Sequence, residues 1–347
     1  MKILFIAEFR HYRDWIGKSY FDLINYVAAN NIKNQIKIVY SDIEINSFII
    51  QMNDFHPELI VFFQTDRFYE TSQFSFLFNL NIPIATVGLD YFYPSRVLSC
   101  PLMNRVNAMI HFSKNNSIEK YYSEVLPNTY ITSFKSRYIN INRFKDYQLE
   151  KKYDILIYGT RNFNSNYKIE KLESIQNFLY KYEEVHNIPD NSNYNINFYS
   201  LRSKLEQIII KNQDKYRCKI LPEKCIFDAV YANEDLSKLI NESYITVACS
   251  SIANILFHKY LEISASKSVI LGDIPVDYEE LLKGNIIEVN YFMNEDEIIQ
   301  KIDNALVDKK ELNDMAERLY DKIHKEHNYD IAIKDFNNVF ENVIQNK

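Results

Sequence analysis

Short, unbroken apolar runs alternate with helix-length segments along this 347-residue chain, and that alternation restricts the fold more than any other feature. Lys2–Ala7 (KILFIA), Ile36–Tyr40, Glu58–Phe63 (ELIVFF), Ile82–Val87, Ala108–Phe112 and Thr129–Thr132 read as strands, with helices over Lys18–Ala29 and Glu44–Asn53. A strand apolar on every residue is covered on both faces, which is the condition of a parallel sheet flanked by helices. The pattern lapses over 133–152, a polar and charged stretch without periodicity that reads as a linker. It restarts at Tyr153–Tyr158 (YDILIY) and continues through Tyr216–Ile220, Tyr244–Ala248, Ser268–Leu271 and Asn285–Val289, with a helical tail from about residue 293. The expected architecture is α/β, with two Rossmann-like domains whose parallel sheets face a central cleft. The expected boundaries are 1–145, 146–325, and a terminal helix at 326–347 free to pack back on the first domain.

Composition closes off other classes. At 47% hydrophobic the chain can build two cores, yet no apolar run nears the ~18 residues of a membrane span. The first apolar run is too short for a secretory leader and reads as a buried strand. A formal net charge of −6 argues against a nucleic-acid backbone as partner. The four cysteines (Cys100, Cys218, Cys225, Cys249) match no zinc spacing and read as reduced thiols of a cytoplasmic protein. No Asp-x-Asp pair is present to hold a divalent cation.

Ligands of open parallel sheets sit beyond the carboxyl ends of the strands. Glycine is scarce, with five in the chain, and four of them (Gly88, Gly159, Gly272, Gly284) fall at or near strand ends. Gly159 is followed by Thr160 and Arg161, which reads either as a plain turn with a surface arginine or as a place where backbone, hydroxyl and guanidinium meet a phosphate. In VACSSIAN, an apolar strand ends in Ser250 and Ser251, and a helix is expected from Ile255. The serines read as a simple N-cap or as part of an anion site at a helix start. Within that helix Lys259 and Glu262 stand one turn apart. They form either a surface ion pair or a cleft-lining pair. Little polar face flanks them, and a buried charge without partners is costly. In a cleft, Lys259 suits a diphosphate and Glu262 the hydroxyls of a ribose. His258, next to Lys259, points into the same cleft or into the core.

Lys259-x-x-Glu262-x-x-Ala265, then a strand closed by Gly272-Asp273, resembles the donor segment of two-domain GT-B glycosyltransferases. The resemblance is greatest to the CgeB-like (spore maturation protein-like) group of the glycosyl transferases group 1 superfamily. Tyr153–Thr160, Tyr199-Ser-Leu-Arg202, Glu297–Leu306 and His327-Asn-Tyr329 resemble further segments of that group, so the likeness covers roughly 150–345. Two positions depart from it: Lys267 replaces a glycine, and Asn254, eight positions before Glu262, replaces a frequent acidic residue. The resemblance implies a nucleotide-sugar donor, commonly a UDP-sugar, on the second domain and a hydroxyl acceptor on the first. It implies metal-independent transfer with retention of configuration. Gly159, Thr160, Arg161, Arg202, Ser250, Ser251, Asn254, His258, Lys259 and Glu262 are the implied donor contacts. Under inversion, Asp90 or His11 would supply the base. Two other readings remain open on the same scaffold, a nucleotide-sugar epimerase and a non-catalytic nucleotide- or sugar-binding protein.

Overall fold

A computed structural model describes residues 1–7, 18–63, 72–88, 91, 97–98, 103–113, 116–161, 199–222, 234–251 and 254–346. Among these, 1–137 with 329–346 form one compact unit and 138–328 form another.

The first unit is built on six parallel strands: β1 (Lys2–Ala7), β2 (Gln35–Tyr40), β3 (Leu59–Phe63), β4 (Ile84–Val87), β5 (Ala108–His111) and β6 (Tyr130–Ser133), in the order β2-β1-β3-β4-β5-β6. Residues 3–7 of β1 and all of β3 are buried, as strands covered on both faces must be. One cover is the last helix of the chain, Tyr329–Gln345. Its Phe336 stacks on Phe134 with ring centroids 4.2 Å apart, and its Phe340 meets Phe5 edge-on at 5.7 Å.

The second unit holds β7 (Tyr153–Ile157), β8 (Cys218–Ile220), β9 (Ser243–Val247), β10 (Val269–Gly272) and β11 (Ile287–Glu288), in the order β11-β10-β9-β7-β8, again all parallel. Read from β8, this repeats the layout of the first sheet: the chain places its second strand outside the first, then reverses and adds the rest on the other side. The reversal falls between β7 and β9, and a crevice opens at such a point beyond the carboxyl ends. Alternate residues of β7 serve opposite cores. Ile155 and Ile157 face the layer of helix Ser200–Lys211, whereas Leu156 and Tyr158 face the layer of helix His258–Ala265.

The structure corrects two expectations and divides the expected helical tail into three helices. The stretch 133–152 has no helix or strand beyond Ser133 of β6 but is no solvated linker: Phe134, Tyr138, Ile139 and Phe144 are buried. Its polar groups are also engaged. The Asp146 carboxylate accepts from Gln148 N (2.7 Å), Asn241 Nδ2 (3.0 Å) and Lys267 Nζ (3.1 Å), and Lys151 Nζ donates to the carbonyls of Ser243 and Lys267. The tail is three helices, Glu295–Val307, Lys309–Glu326 and Tyr329–Gln345. It breaks at Asp308, whose side chain accepts from Glu311 N, and again at His327. The helix expected from Ile255 begins at His258. Ser251 and Asn254 adopt left-handed backbone conformations (φ 67° and 48°), and Phe257, the N-cap, is extended, so the chain cannot coil before His258.

Candidate functional site

The β7–β9 reversal collects the loop Tyr158–Arg161 and the loop after β9, and two helices bring cations to it. Arg202 lies in the first turn of Ser200–Lys211 on one side of the sheet, and Lys259 in the first turn of His258–Ala265 on the other. Gly159 has φ +82°, and a Cβ there would collide with Lys259 Nζ and approach Arg202 Nη1 to 3.9 Å. Glycine is therefore favoured by the backbone conformation, and its missing Cβ leaves room for the Lys259 ammonium. At the end of β10, a Cβ on Gly272 would strike the Ala248 carbonyl, so glycine there permits the close approach of the two strand ends.

Arg202 is 3% exposed. Its Nη1 donates to Thr160 O (2.6 Å), its Nη2 reaches Cys249 O (3.5 Å), and its guanidinium lies 4.2 Å from the Tyr199 ring centroid. One side chain thereby ties together the loops after β7 and β9. Its Nε has no hydrogen-bond partner among the described residues. Arg161 donates from Nη1 to Gly159 O (3.0 Å) and forms an ion pair with Glu206 (2.7 Å) on the Arg202 helix.

Lys259 and Glu262 do not pair with each other; both engage Tyr158. The Lys259 ammonium donates to the Tyr158 carbonyl and lies 3.7 Å from the centroid of its ring. Glu262 Oε2 accepts from the Tyr158 hydroxyl at 2.8 Å. Both charged residues are only partly buried, so a ligand can reach them. Desolvation, followed by the positive charge of Arg202, drives the Lys259 pKa well below the ordinary lysine range, although Glu262 pulls the other way. Burial raises the Glu262 pKa against the opposing effects of the Tyr158 hydrogen bond and Lys259. A cation crowded by other cations, with no carboxylate bonded to it, is a costly arrangement that an anionic ligand would relieve.

Ser250 does not stand at a helix N-terminus. Its N–H donates to Asp273 Oδ1 (2.8 Å), and its hydroxyl donates to Asp273 Oδ2. Tyr260 OH also donates to Asp273 Oδ1 (2.9 Å). Asp273 is 5% exposed, and burial raises its pKa while these donors oppose the shift. It fixes the start of the β9 loop against β10 and the Lys259 helix. Ser251 and Asn254 are buried in that loop, and Asn254 Oδ1 has no hydrogen-bond partner among the described residues. His258 is half-buried at the first position of the helix. Gly159, Thr160, Arg161, Arg202 and Lys259 meet at one place, and Glu262 joins them through Tyr158.

His11 and Asp90 lie outside the described residues, as do Cys100 and Cys225. Cys218 and Cys249 are free thiols, and burial pushes both upward, Cys218 to about 11. Tyr158, Glu206 and Asp273 are residues of the site that sequence reasoning did not single out; the Gly-Asp closure of β10 was the one available signal, and it pointed to Asp273. Among the described residues no group of three or more His, Cys, Asp or Glu side chains is arranged to hold a metal ion, and no helix is long and apolar enough to cross a membrane.

Residues 204–338, which span most of the second unit, match the family described as Glycosyl transferase-like. No curated protein matches the chain. Among solved structures, sucrose-phosphate synthase from Thermosynechococcus elongatus is similar with a TM-score of 0.63 at 10% identity, over 100% of both chains. Anabaena Alr3699/HepE in complex with UDP-glucose is similar with a TM-score of 0.59 at 12% identity, over 99% of this chain and 100% of that one. A glycosyltransferase from Rickettsia africae reaches 0.55 at 9% identity, over 100% of this chain and 99% of that one. The fold is therefore GT-B.

Proposed function

We propose that this chain is a glycosyltransferase that takes a sugar from a nucleoside-diphosphate donor, a UDP-sugar in the first instance, and passes it to a hydroxyl acceptor. The observation that carries the reading is the cluster of cations at the β7–β9 reversal, in which Lys259 is bonded to no carboxylate. There Lys259 and Arg202 converge on Gly159, and Glu262 stands one turn beyond. Lys259, Arg202 and Arg161 are the groups assigned to the diphosphate, and Glu262 to a ribose hydroxyl. Asn254, with its unpartnered buried oxygen, is assigned to a further donor hydroxyl. Thr160 and His258 border the same place, and Ser250 and Ser251 shape the loop. The choice of uridine is supported by the UDP-glucose held by Alr3699/HepE. Placement in the CgeB-like group rests on the order and spacing of the motifs.

In the reaction the bond between the anomeric carbon and the diphosphate oxygen breaks, and the acceptor oxygen bonds to that carbon. Negative charge grows on the departing diphosphate, which the fixed cations stabilise without reorganising. Each charge-assisted contact made only then is worth roughly 1.5–3 kcal/mol, about ten- to a hundredfold in rate. Under retention the acceptor proton passes to the departing phosphate, and no protein base is required. Inversion would instead call on Asp90 or His11. The anomeric configuration of the product, read by NMR, separates the two. Because protein cations neutralise the diphosphate, transfer is expected to persist in EDTA.

The test is thermal unfolding with a panel of nucleoside diphosphates and their sugars, in EDTA. A ligand at 100 times its dissociation constant adds about 2.7 kcal/mol, a shift of several degrees. A shift with UDP that disappears in Glu262→Ala is the expected result. No shift with any nucleotide would overturn the donor reading.

A further inference from the structure

Residues one helical turn apart with opposite charge ordinarily pair. Lys259 and Glu262 meet that condition, and their surroundings favour pairing further, since a desolvated cation and a desolvated carboxylate attract more strongly than exposed ones. They are nevertheless not bonded to each other, and both engage one residue just past the end of β7. Tyr158 directly follows β7 on the face covered by the Lys259 helix, and it is 5% exposed. Its ring face and carbonyl take Lys259, and its hydroxyl takes Glu262. The carbonyl satisfies one ammonium donor, and the ring accepts the cation without adding a negative charge. The hydroxyl satisfies one carboxylate oxygen without adding a positive one.

We infer that Tyr158 is a positioning residue that prevents Lys259 and Glu262 from neutralising each other, so that the ammonium stays available to a diphosphate and the carboxylate to a ribose hydroxyl. The inference rests on the donor reading for its ligand, though not for the separation itself. Removing the ring leaves space into which the lysine and glutamate close on each other, and the site quenches its own charge. The tyrosine therefore acts on binding through two other residues. Arg202, Arg161 and Cys249 also face Lys259, and of these neighbours Glu262 alone is a carboxylate.

The experiment is a double-mutant cycle on the full chain with Tyr158→Leu and Glu262→Gln, read by calorimetry with UDP and with inorganic pyrophosphate. Tyr158→Leu is expected to weaken pyrophosphate binding about tenfold or more, the weight of one charge-assisted contact. Adding Glu262→Gln to that variant removes the quenching carboxylate and should restore most of the loss. In the native background the same change should weaken UDP and leave pyrophosphate nearly unchanged. A merely structural tyrosine predicts no recovery in the double variant, and that result would overturn the inference. Titration of Lys259, followed by NMR after reductive dimethylation, gives a readout that needs no ligand. Its pKa should rise in Tyr158→Leu, and the rise should shrink when Glu262→Gln is added. If native protein bound neither probe, the donor reading would fall while this titration still decided whether Tyr158 separates the pair. Tyr158→Phe keeps the ring and removes only the hydroxyl. It covers the case in which the leucine variant does not fold, and is expected to weaken UDP more than pyrophosphate.

Discussion

The helix His258–Ala265 carries a lysine at each end, and the two are held in opposite ways. Lys267, just past the C-terminus, forms ion pairs with Asp146 (3.1 Å) and Glu317 (2.5 Å) and is partly exposed. Lys259, in the first turn, has a carbonyl and a ring face for partners and two arginines among its nearest charges. The first cation is neutralised by the protein. The second has no carboxylate bonded to it, and Glu262 offsets only part of its cost. A cation serving only the fold gains from the first arrangement, and the second is favourable only when something outside the chain completes it.

The largest effect that would break this contrast comes from neutralising each lysine. Lys259→Met is expected to stabilise the free protein by ~1 kcal/mol, because an apolar side chain of similar length replaces a desolvated charge. It should also weaken UDP by about ten- to a hundredfold. Lys267→Met should do the reverse: a loss of ~0–1 kcal/mol in stability for each of its two partly exposed pairs, and unchanged affinity. Unfolding curves with and without UDP check both. A Lys259→Met protein that is less stable and binds normally would make the two ends equivalent.

Gly159→Ala tests the first end through its neighbour. At φ +82° alanine is strained by ~1–2 kcal/mol, and its methyl displaces the Lys259 ammonium. Stability and UDP affinity should fall together, whereas the Lys267 pairs, and hence the salt dependence of stability, should not change. Unfolding in low and high salt would show it.

The ends should also differ in the sign of their pH dependence. The folded-state pKa of Lys259 lies below its unfolded value, so its charged form opposes folding. That penalty is present at low pH and fades as pH rises through the depressed pKa towards the ordinary value. At Lys267, burial pulls the pKa down, but Glu317 and Asp146 outweigh it and the net shift is upward. Its contribution is complete below the unfolded pKa and is lost as pH rises through the folded one. UDP binds the protonated Lys259, so once its own terminal phosphate is ionised, above about pH 6, affinity should fall as the depressed pKa is passed. Proton uptake should be visible as a dependence of the binding heat on the buffer. Affinity that keeps rising above about pH 7, where the phosphate is already ionised, would count against Lys259 as the diphosphate's partner.

How much of this could be read beforehand follows from which contacts are local. Strands such as Leu59–Phe63 are buried on both faces, so their composition alone announces them. The Lys259–Glu262 neighbourhood follows from helical spacing. Tyr158 was hidden among 27 tyrosines, and its tie to Lys259 joins positions on separate elements that no local pattern connects. The late start of the helix turns on left-handed conformations at Ser251 and Asn254, for which a serine and an asparagine are weak signals. The stretch 133–152 looked like a linker because it is polar. Its Asp146 and Lys151 are polar in order to reach buried partners, and composition does not distinguish such groups from solvated ones.

The smallest expected effect, and the sharpest on the second end, is Lys267→Gly. The helix closes in a Schellman turn, with Ser268 N bonded to Ile263 O (3.2 Å) and Lys267 N to Ser264 O (3.1 Å). Lys267 occupies the left-handed position (φ 58°) that glycine fills without steric cost. Glycine would relieve about 1 kcal/mol of backbone strain. It would forfeit two partly exposed ion pairs worth ~0–1 kcal/mol each, and some of the gain would return as freedom of the unfolded chain. These terms nearly cancel at low salt, so the variant should unfold within a few degrees of the native protein. Salt screens the pairs but leaves the backbone term alone. The stability difference should therefore drift in favour of glycine as salt rises, with UDP affinity unchanged throughout. A variant that loses UDP binding would mean that Lys267 reaches the ligand after all, and the two ends of the helix would then serve one site.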